Sequence, residues 1–230
     1  MNPKITIIIP VWNGEKYVEQ AIASVLQQDY DNKEVIVVND GSTDGTEKII
    51  QRFGKQISSL PQENRGLGAS RNAAIQIATG SYLAFLDHDD LWTPSKLTEQ
   101  MAALLASGQD PLVFSHVEQF LCPTLSAEEA KRIAIPQTIL PGHIAGTLLI
   151  SKSRFAQIGP FLEEKKLLGE FIEWYLRAVE KKIPILLLDT VAHHRRVHQD
   201  NMGRRNLSRR GDYLRILKAG LDRRRGLVPA

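Results

Sequence analysis

Only one cysteine, Cys122, occurs in the 230 residues. No internal disulfide can form, no paired-cysteine metal knuckle can exist, and such sparse thiol usage fits a reducing compartment. Long apolar runs are also missing. The opening "MNPKITIIIPVWNGE" reaches Pro10 too early for a signal peptide, and no stretch approaches the ~18 apolar residues of a membrane span. A soluble, cytoplasmic chain is expected. There is no Walker loop, and no Gly-x-Gly-x-x-Gly follows the first apolar run, which disfavours P-loop ATPases, classical kinases and NAD-dependent dehydrogenases. Aromatic residues make up 7% of the chain, and the basic C-terminal stretch carries Tyr213 alone. That leaves no stacking platform for nucleic acid, which is not expected as a partner.

What is present is a core of ordinary size, with 43% hydrophobic and 24% charged residues. Through the first hundred residues, strand and helix signals alternate. "KITIIIP" and "KEVIVVND" are β-branched runs of the kind buried on both faces, and a weaker strand is expected within 56–60. "SYLAFLD" is the fourth strand. "GEKYVEQAIASVLQQ", "STDGTEKIIQRFG" (with Ser42 or Thr43 as cap) and "ENRGLGASRNAAIQIATG" read as the intervening helices. This series predicts an α/β fold with a mixed, mostly parallel sheet and helices on both faces. Further on, "DPLVFSHVEQFLC" and "GHIAGTLLIS" read as strands, "SAEEAKRIA" and "SRFAQIGPF" as short helices and "GEFIEWYLRAVEKK" as an amphipathic helix. "IPILLLDTVAHHRRVH" is a strand running into a basic segment.

Ligands on such sheets bind beyond the carboxyl ends of the strands. Three polar clusters fall there: Pro10 to Glu15, Asn39 to Asp44, and Asp87 to Asp90. The last crowds Asp87, Asp89 and Asp90 around His88, and two carboxylates at ~4 Å repel by about 4 kcal/mol at an effective dielectric near 20. Asp90 or Thr93 can be spent on capping the helix expected from Pro94. The remaining oxygens suit Mg²⁺ or Mn²⁺, which uses one or two carboxylates and completes its shell with ligand phosphates. Asp40 reads either as part of a capped turn or as a carboxylate aimed at base or ribose donors. Arg65 and Arg71 lie beside glycines that permit close backbone approach.

The combined pattern resembles glycosyltransferase family 2, with its GT-A fold. The resemblance is carried by "ITIIIPVWNGEKYVEQAIASVLQQDY", "EVIVVNDGSTDGT", "ENRGLGASRNAAIQIATGSYLAFLDHDD" and "GTLLISKSRFAQIGPF", about two thirds of the chain in the family's order. It implies an inverting transfer of a sugar from a nucleoside-diphosphate sugar to an acceptor hydroxyl. Pro10, Val11, Asn13, Glu15, Asp40 and Gly41 would cradle the nucleotide. Arg65, Arg71, His88 and Arg196 would join the nucleotide-sugar site, and Asp87 and Asp89 would hold Mn²⁺ or Mg²⁺ on the diphosphate. "AHHRRVHQDNMG" is similar to the family's closing Arg-x-His-x-x-Asn pattern, giving Arg196, His198 and Asn201, with His198 as a further metal or phosphate contact. UDP-sugar is the expected donor, because Asp40 can accept from a uracil imide; GDP- and dTDP-sugars stay open.

One position departs from the pattern. The family's late helix opens on Glu-Asp and uses the Asp as general base, whereas here Glu170 is followed by Phe171. Glu170 is therefore the expected base and Glu173 the second candidate, although Glu173 has Arg177 at i, i+4 as a structural partner. Trp174 is expected to flank a sugar or desolvate Glu170. The rival reading is a catalytically weak or inactive sugar-nucleotide-binding protein of the same fold. A nucleotidyltransferase is disfavoured, since "PVWNGE" lacks the glycine-rich signature.

From Arg204 to Arg225 eight Arg and one Lys face Asp212 and Asp222, a charge of +7 that leaves −4 for the rest of a chain of net +3. The expected organisation is a domain over 1–203, with a nucleotide-sugar half (1–90) and an acceptor half (91–203), and a basic extension over 204–230. The extension suits an anionic membrane surface near a glycan, lipid-linked or peptide acceptor. An oligomer is compatible with all of this.

Overall fold

In the computed structural model, residues 2–133, 135, 138–165, 167–201 and 211–225 are described. Strand β1 (Ile5–Val11) is buried along its whole length. It pairs in parallel with β2 (Lys33–Asp40) on one side and with β4 (Tyr82–Phe85) on the other. Period-two alternation then divides its side chains between two cores. Ile5, Ile7 and Ile9 face one core together with Val35, Val37, Ala84 and Leu86. Ile8 faces the other with Ile36, Val38, Leu83 and Phe85. Both faces are covered, so an uninterrupted apolar run is what a central strand needs.

β3 (Ser58–Gln62) closes the parallel edge on β2. The remaining strands are β5 (Leu91–Trp92), β6 (Leu112–Leu121), β7 (Ile139–Gly142), β8 (Leu149–Ser151) and β9 (Ile185–Val197). They extend the sheet in the order β3-β2-β1-β4-β8-β6-β9-β5, with β7 paired to β6. β8 runs antiparallel to β4 and β6, and β6 pairs in parallel with β9. The segment expected as one strand, "GHIAGTLLIS", is divided. Its first glycine ends β7, a single 3₁₀ turn occupies Ala145–Thr147, and only Leu149–Ser151 enters the sheet.

The helices are α1 (Val18–Leu26), α2 (Thr46–Arg52), α3 (Leu67–Ile77), α4 (Lys96–Ser107), α5 (Ala127–Arg132), α6 (Lys152–Ile158), α7 (Glu170–Glu180) and α8 (Gly211–Arg224). Two starts differ from expectation. α2 begins after Gly45 with Asp44 Oδ1 accepting from the Thr46 N–H at 3.0 Å, so neither Ser42 nor Thr43 caps it. α4 begins after Ser95, and Asp90 is buried elsewhere. α5 does carry the Ser126/Glu129 capping box.

The basic extension is not a free tail where it is described. α8 lies on α7, with Ile216 buried and Tyr213 and Ile216 packed over Gly169, whose φ is +95°. Asp212 Oδ2 accepts from the Leu168 N–H at 3.2 Å, and Arg223 pairs with Glu180 at 2.9 Å. Positions 204–210 and 226–230 of the expected extension lie outside the described residues.

At the amino end of β2, Glu34 accepts from the Thr79 N–H at 2.6 Å and faces Lys4 at 3.0 Å. Burial raises its pKa, but hydrogen bonds from Thr6, Thr79 and Lys4 outweigh that and hold it at about 2, below the ordinary 4.5. A depressed carboxylate pKa stabilises the fold above the unfolded value and loses that contribution as pH falls through the folded one. Glu34→Gln is therefore expected to cost up to about 3 kcal/mol near neutrality and to approach wild-type stability as pH drops from about 4.5 toward about 2. Urea titrations of both proteins across that range would show the gap closing.

Candidate functional site

An open cleft of about 1220 Å³ lies beyond the carboxyl ends of β1, β2 and β4. Pro10, Val11, Asn13, Glu15, Asp40, Gly41, Asp87, His88 and Asp89 all line it, so the three polar clusters meet at one rim. Two of these residues shape the wall. Asn13, at φ +52°, accepts through Oδ1 from the Thr43 N–H at 2.8 Å, and Glu15 accepts from the Gly45 N–H at 2.7 Å. Between them Gly14 admits the His88 ring, which a Cβ would meet at 2.6 Å. Asp40 is buried and already accepts from Gln62 Nε2 (2.6 Å) and from the N–H groups of Arg65 and Gly66 (2.9 Å each). A carboxylate offers about four acceptor positions, which leaves one for a ligand donor.

The three aspartates after β4 separate into different roles. Asp90 is buried beneath the rim, accepting from the Arg196 N–H at 2.8 Å and meeting His193 Nε2 at 2.9 Å. His193 Nδ1 faces the Gly146 carbonyl at 3.2 Å, and burial raises the Asp90 pKa. Asp90 is thus an internal anchor, not a helix cap. Asp89 Oδ2 accepts from His198 Nε2 at 3.0 Å and from Asn201 Nδ2 at 3.2 Å. Burial raises the Asp89 pKa, but the His198 bond and the nearby His88 and His198 charges lower it to about 2. Asp87 Oδ1 pairs with Arg71 at 2.8 Å. Among the described residues, nothing bonds Asp87 Oδ2 or Asp89 Oδ1.

Those two oxygens fit a small divalent cation that takes the rest of its shell from phosphate and water. His198, expected as a further metal or phosphate contact, lines the cleft but is engaged with Asp89. His198 Nδ1 accepts from the Asp200 N–H at 3.2 Å, so Nε2 bears the proton it donates to Asp89. No group of three or more His, Cys, Asp or Glu side chains among the described residues is arranged for a metal.

The arginines also differ from expectation. Arg71 is 1% exposed and bridges Glu170 at 2.7 Å to Asp87, and it is not among the residues that line the cleft. Its Nε is buried without a hydrogen-bond partner among the described residues. Arg65 points away, paired with Glu163 at 2.7 Å, and contributes only its backbone N–H to Asp40. Arg196 is buried, donating to the Asp89 carbonyl and Gln20 and lying 5.0 Å over Tyr17. Its neighbour Arg195 lines the cleft instead, because successive strand residues face opposite ways.

Helix α7 brings no carboxylate to the cleft. Glu170 is held by Arg71, a partner 99 positions away, and Glu173 by Arg177 at 3.0 Å and Arg223 at 3.5 Å. Phe171 packs in the core. Trp174 is fully buried among Phe155, Phe161 and Phe171 and does not line the cleft. Lining residues that the sequence reading overlooked include Trp12, Lys16, Lys165 and Arg195. Trp12, half exposed directly after a buried strand, was the available signal.

A half-sheet that gathers Asp40 and the Asp87-x-Asp89 pair at one rim is the architecture of a nucleotide-sugar-binding domain of GT-A type. The chain belongs to glycosyltransferase family 2: the "Glycosyl transferase family 2" sequence model matches residues 6–144. An uncharacterized glycosyltransferase of Rickettsia typhi is 37% identical over 76% of this chain and 58% of its own length. Glycosyltransferase GlyA of Streptococcus pneumoniae is 35% identical over 52% of this chain and 18% of its own. The chain therefore spans little more than half, or less, of these relatives. The fold matches S. aureus TarS 1–349 in complex with UDP-GlcNAc, with TM-score 0.69 and 21% identity over 86% of this chain and 60% of that one. It also matches mannosyltransferase PcManGT of Pyrobaculum calidifontis in complex with GDP-Man and Mn²⁺, with TM-score 0.70 and 20% identity over 96% and 65%.

Proposed function

We propose that this chain is the donor-binding domain of a metal-dependent, inverting glycosyltransferase that moves a sugar from a UDP-sugar to an acceptor hydroxyl. The observation that carries this reading is the convergence, in one cleft, of Asp40 with an acceptor position to spare and of Asp87 and Asp89, each with one oxygen that no described residue bonds. Asp40 would accept from the base. Asp87 and Asp89 would hold Mn²⁺ or Mg²⁺, which supplies charge neutralisation to the leaving diphosphate. Asn13 and Glu15 keep the 41–46 loop against the nucleotide, while Lys165 and Arg195 present cations along the cleft wall. The neighbours bound to UDP-GlcNAc and to GDP-Man with Mn²⁺ support the donor class.

A second reading, donor binding with weak or no transfer, is favoured by one observation: Phe171 is buried and both α7 glutamates are paired away from the cleft. Glu170 then acts as a brace for Arg71 and not as general base. Glu170→Gln separates these possibilities. As base, its loss costs two to four orders of magnitude in transfer with UDP affinity and stability kept. As brace, its loss lowers stability and Mn²⁺-dependent UDP affinity together, and we expect the latter. Calorimetry, urea unfolding and a donor-turnover assay on one preparation distinguish the two. Absence of UDP binding to the wild-type chain with Mn²⁺ would refute the donor assignment.

A further inference from the structure

We infer that the outer face of α8 is a docking surface for an anionic lipid bilayer. Leu214, Leu217 and Leu221 follow i, i+3, i+7 spacing and form one stripe along the helix. They are 71%, 47% and 51% exposed, while Ile216 and Gly220 on the opposite face are buried toward α7. The inner face is thus already satisfied, and the leucines are surplus to the packing of the domain. At 100° per residue, exposed Lys218 and Arg225 border the stripe on one side and exposed Arg224 on the other. Half-buried Asp222 lies farther round that first flank, and Arg215 is tied to Glu164 at 2.9 Å.

This layout is matched by a lipid leaflet. Leucines enter at the acyl boundary while Lys and Arg stems run outward to the phosphate level. An apolar protein groove would leave three cations at its rim without counter-charges, whereas anionic headgroups supply them at the depth where they lie. The docked surface would also sit near the donor cleft. α8 covers Gly169 and holds the Leu168 N–H through Asp212, and Leu167 and Leu168 line the cleft. A bilayer on α8 stands roughly one helix diameter, about 10 Å, from that rim. That favours a membrane-borne acceptor over a soluble glycan, although the docking face does not depend on transfer activity.

The test is flotation of the full chain with vesicles of phosphatidylcholine plus phosphatidylglycerol, and with phosphatidylcholine alone. Wild type should bind the mixed vesicles in a salt-sensitive manner and the neutral ones weakly. Leu214→Gln/Leu217→Gln/Leu221→Gln should lose at least about 100-fold in partitioning. Lys218→Glu/Arg224→Glu/Arg225→Glu should lose about 100-fold on the mixed vesicles only. Both variants change exposed positions and should keep the wild-type melting temperature. The proposal is overturned if wild type ignores the anionic vesicles, or if the leucine variant binds them equally well. It is also overturned if light scattering shows a dimer that the leucine substitutions dissolve, since the stripe would then be a self-association face.

Discussion

Replacing Arg71 with methionine is expected to lower the unfolding free energy by about 3–5 kcal/mol, the cost of stranding one partner of a buried ion pair. Glu170, whose side chain is 9% exposed, would lose its 2.7 Å partner, and Asp87 would lose the cation that fixes one of its oxygens. Methionine fills the apolar space against Phe161, over whose ring the guanidinium lies at 5.5 Å, so charge loss and not a cavity should dominate. Arg71→Met combined with Glu170→Gln should recover much of that stability, because no uncompensated buried carboxylate remains. Urea unfolding of the two single variants and the double would give the coupling energy. Additive losses would mean that the two side chains do not share the interaction the geometry describes.

Asp89→Ala is expected to reduce Mn²⁺-dependent UDP affinity by more than about 100-fold. Removing a partner that merely orients a metal ligand already costs 10–100-fold, and Asp89 would be a ligand itself. His198→Ala should fall within that lower range, since its Nε2–H orients Asp89 at 3.0 Å. Calorimetry of UDP with Mn²⁺ and with chelator separates the metal-dependent part. Unchanged, metal-independent UDP affinity in Asp89→Ala would remove the metal from this site.

The strands that position the cleft were legible because burial on both faces demands the continuous apolar runs of β1, β2 and β4. α7 was legible because its apolar stripe recurs at helical spacing. What sequence could not supply was partnership across distance. Glu170 was read as the base and Arg71 as part of the nucleotide-sugar site because their mutual partnership spans 99 positions. Arg196 was expected in the nucleotide-sugar site, yet strand phase turns it inward and Arg195 toward the cleft. β9 pairs with β6 through register irregularities at Ser115/His116 and His116/Val117, which a local reading does not reveal. Trp174 was expected by spacing alone to flank a sugar or desolvate Glu170, whereas its Nε1–H bonds the Gly159 carbonyl at 2.9 Å inside the core. Proximity along a helix is weak evidence for proximity to a ligand.

The anchoring of Asp90 bears on how such domains can be recombined. The acidic loop belongs to the first half of the chain, yet it rests on His193 and the Arg196 N–H, and His193 needs glycine at position 146, where a Cβ would stand 2.3 Å from its ring. A crossover near residue 90 between two relatives would inherit the polar clusters after β1, β2 and β4 from one parent and the floor beneath them from the other. Chimeras are therefore constrained, beyond the conspicuous acidic motif, by a glycine and a histidine that lie outside the cleft lining. Breakpoints that keep positions 90, 146 and 193 from a single parent respect the unit that the fold has made indivisible.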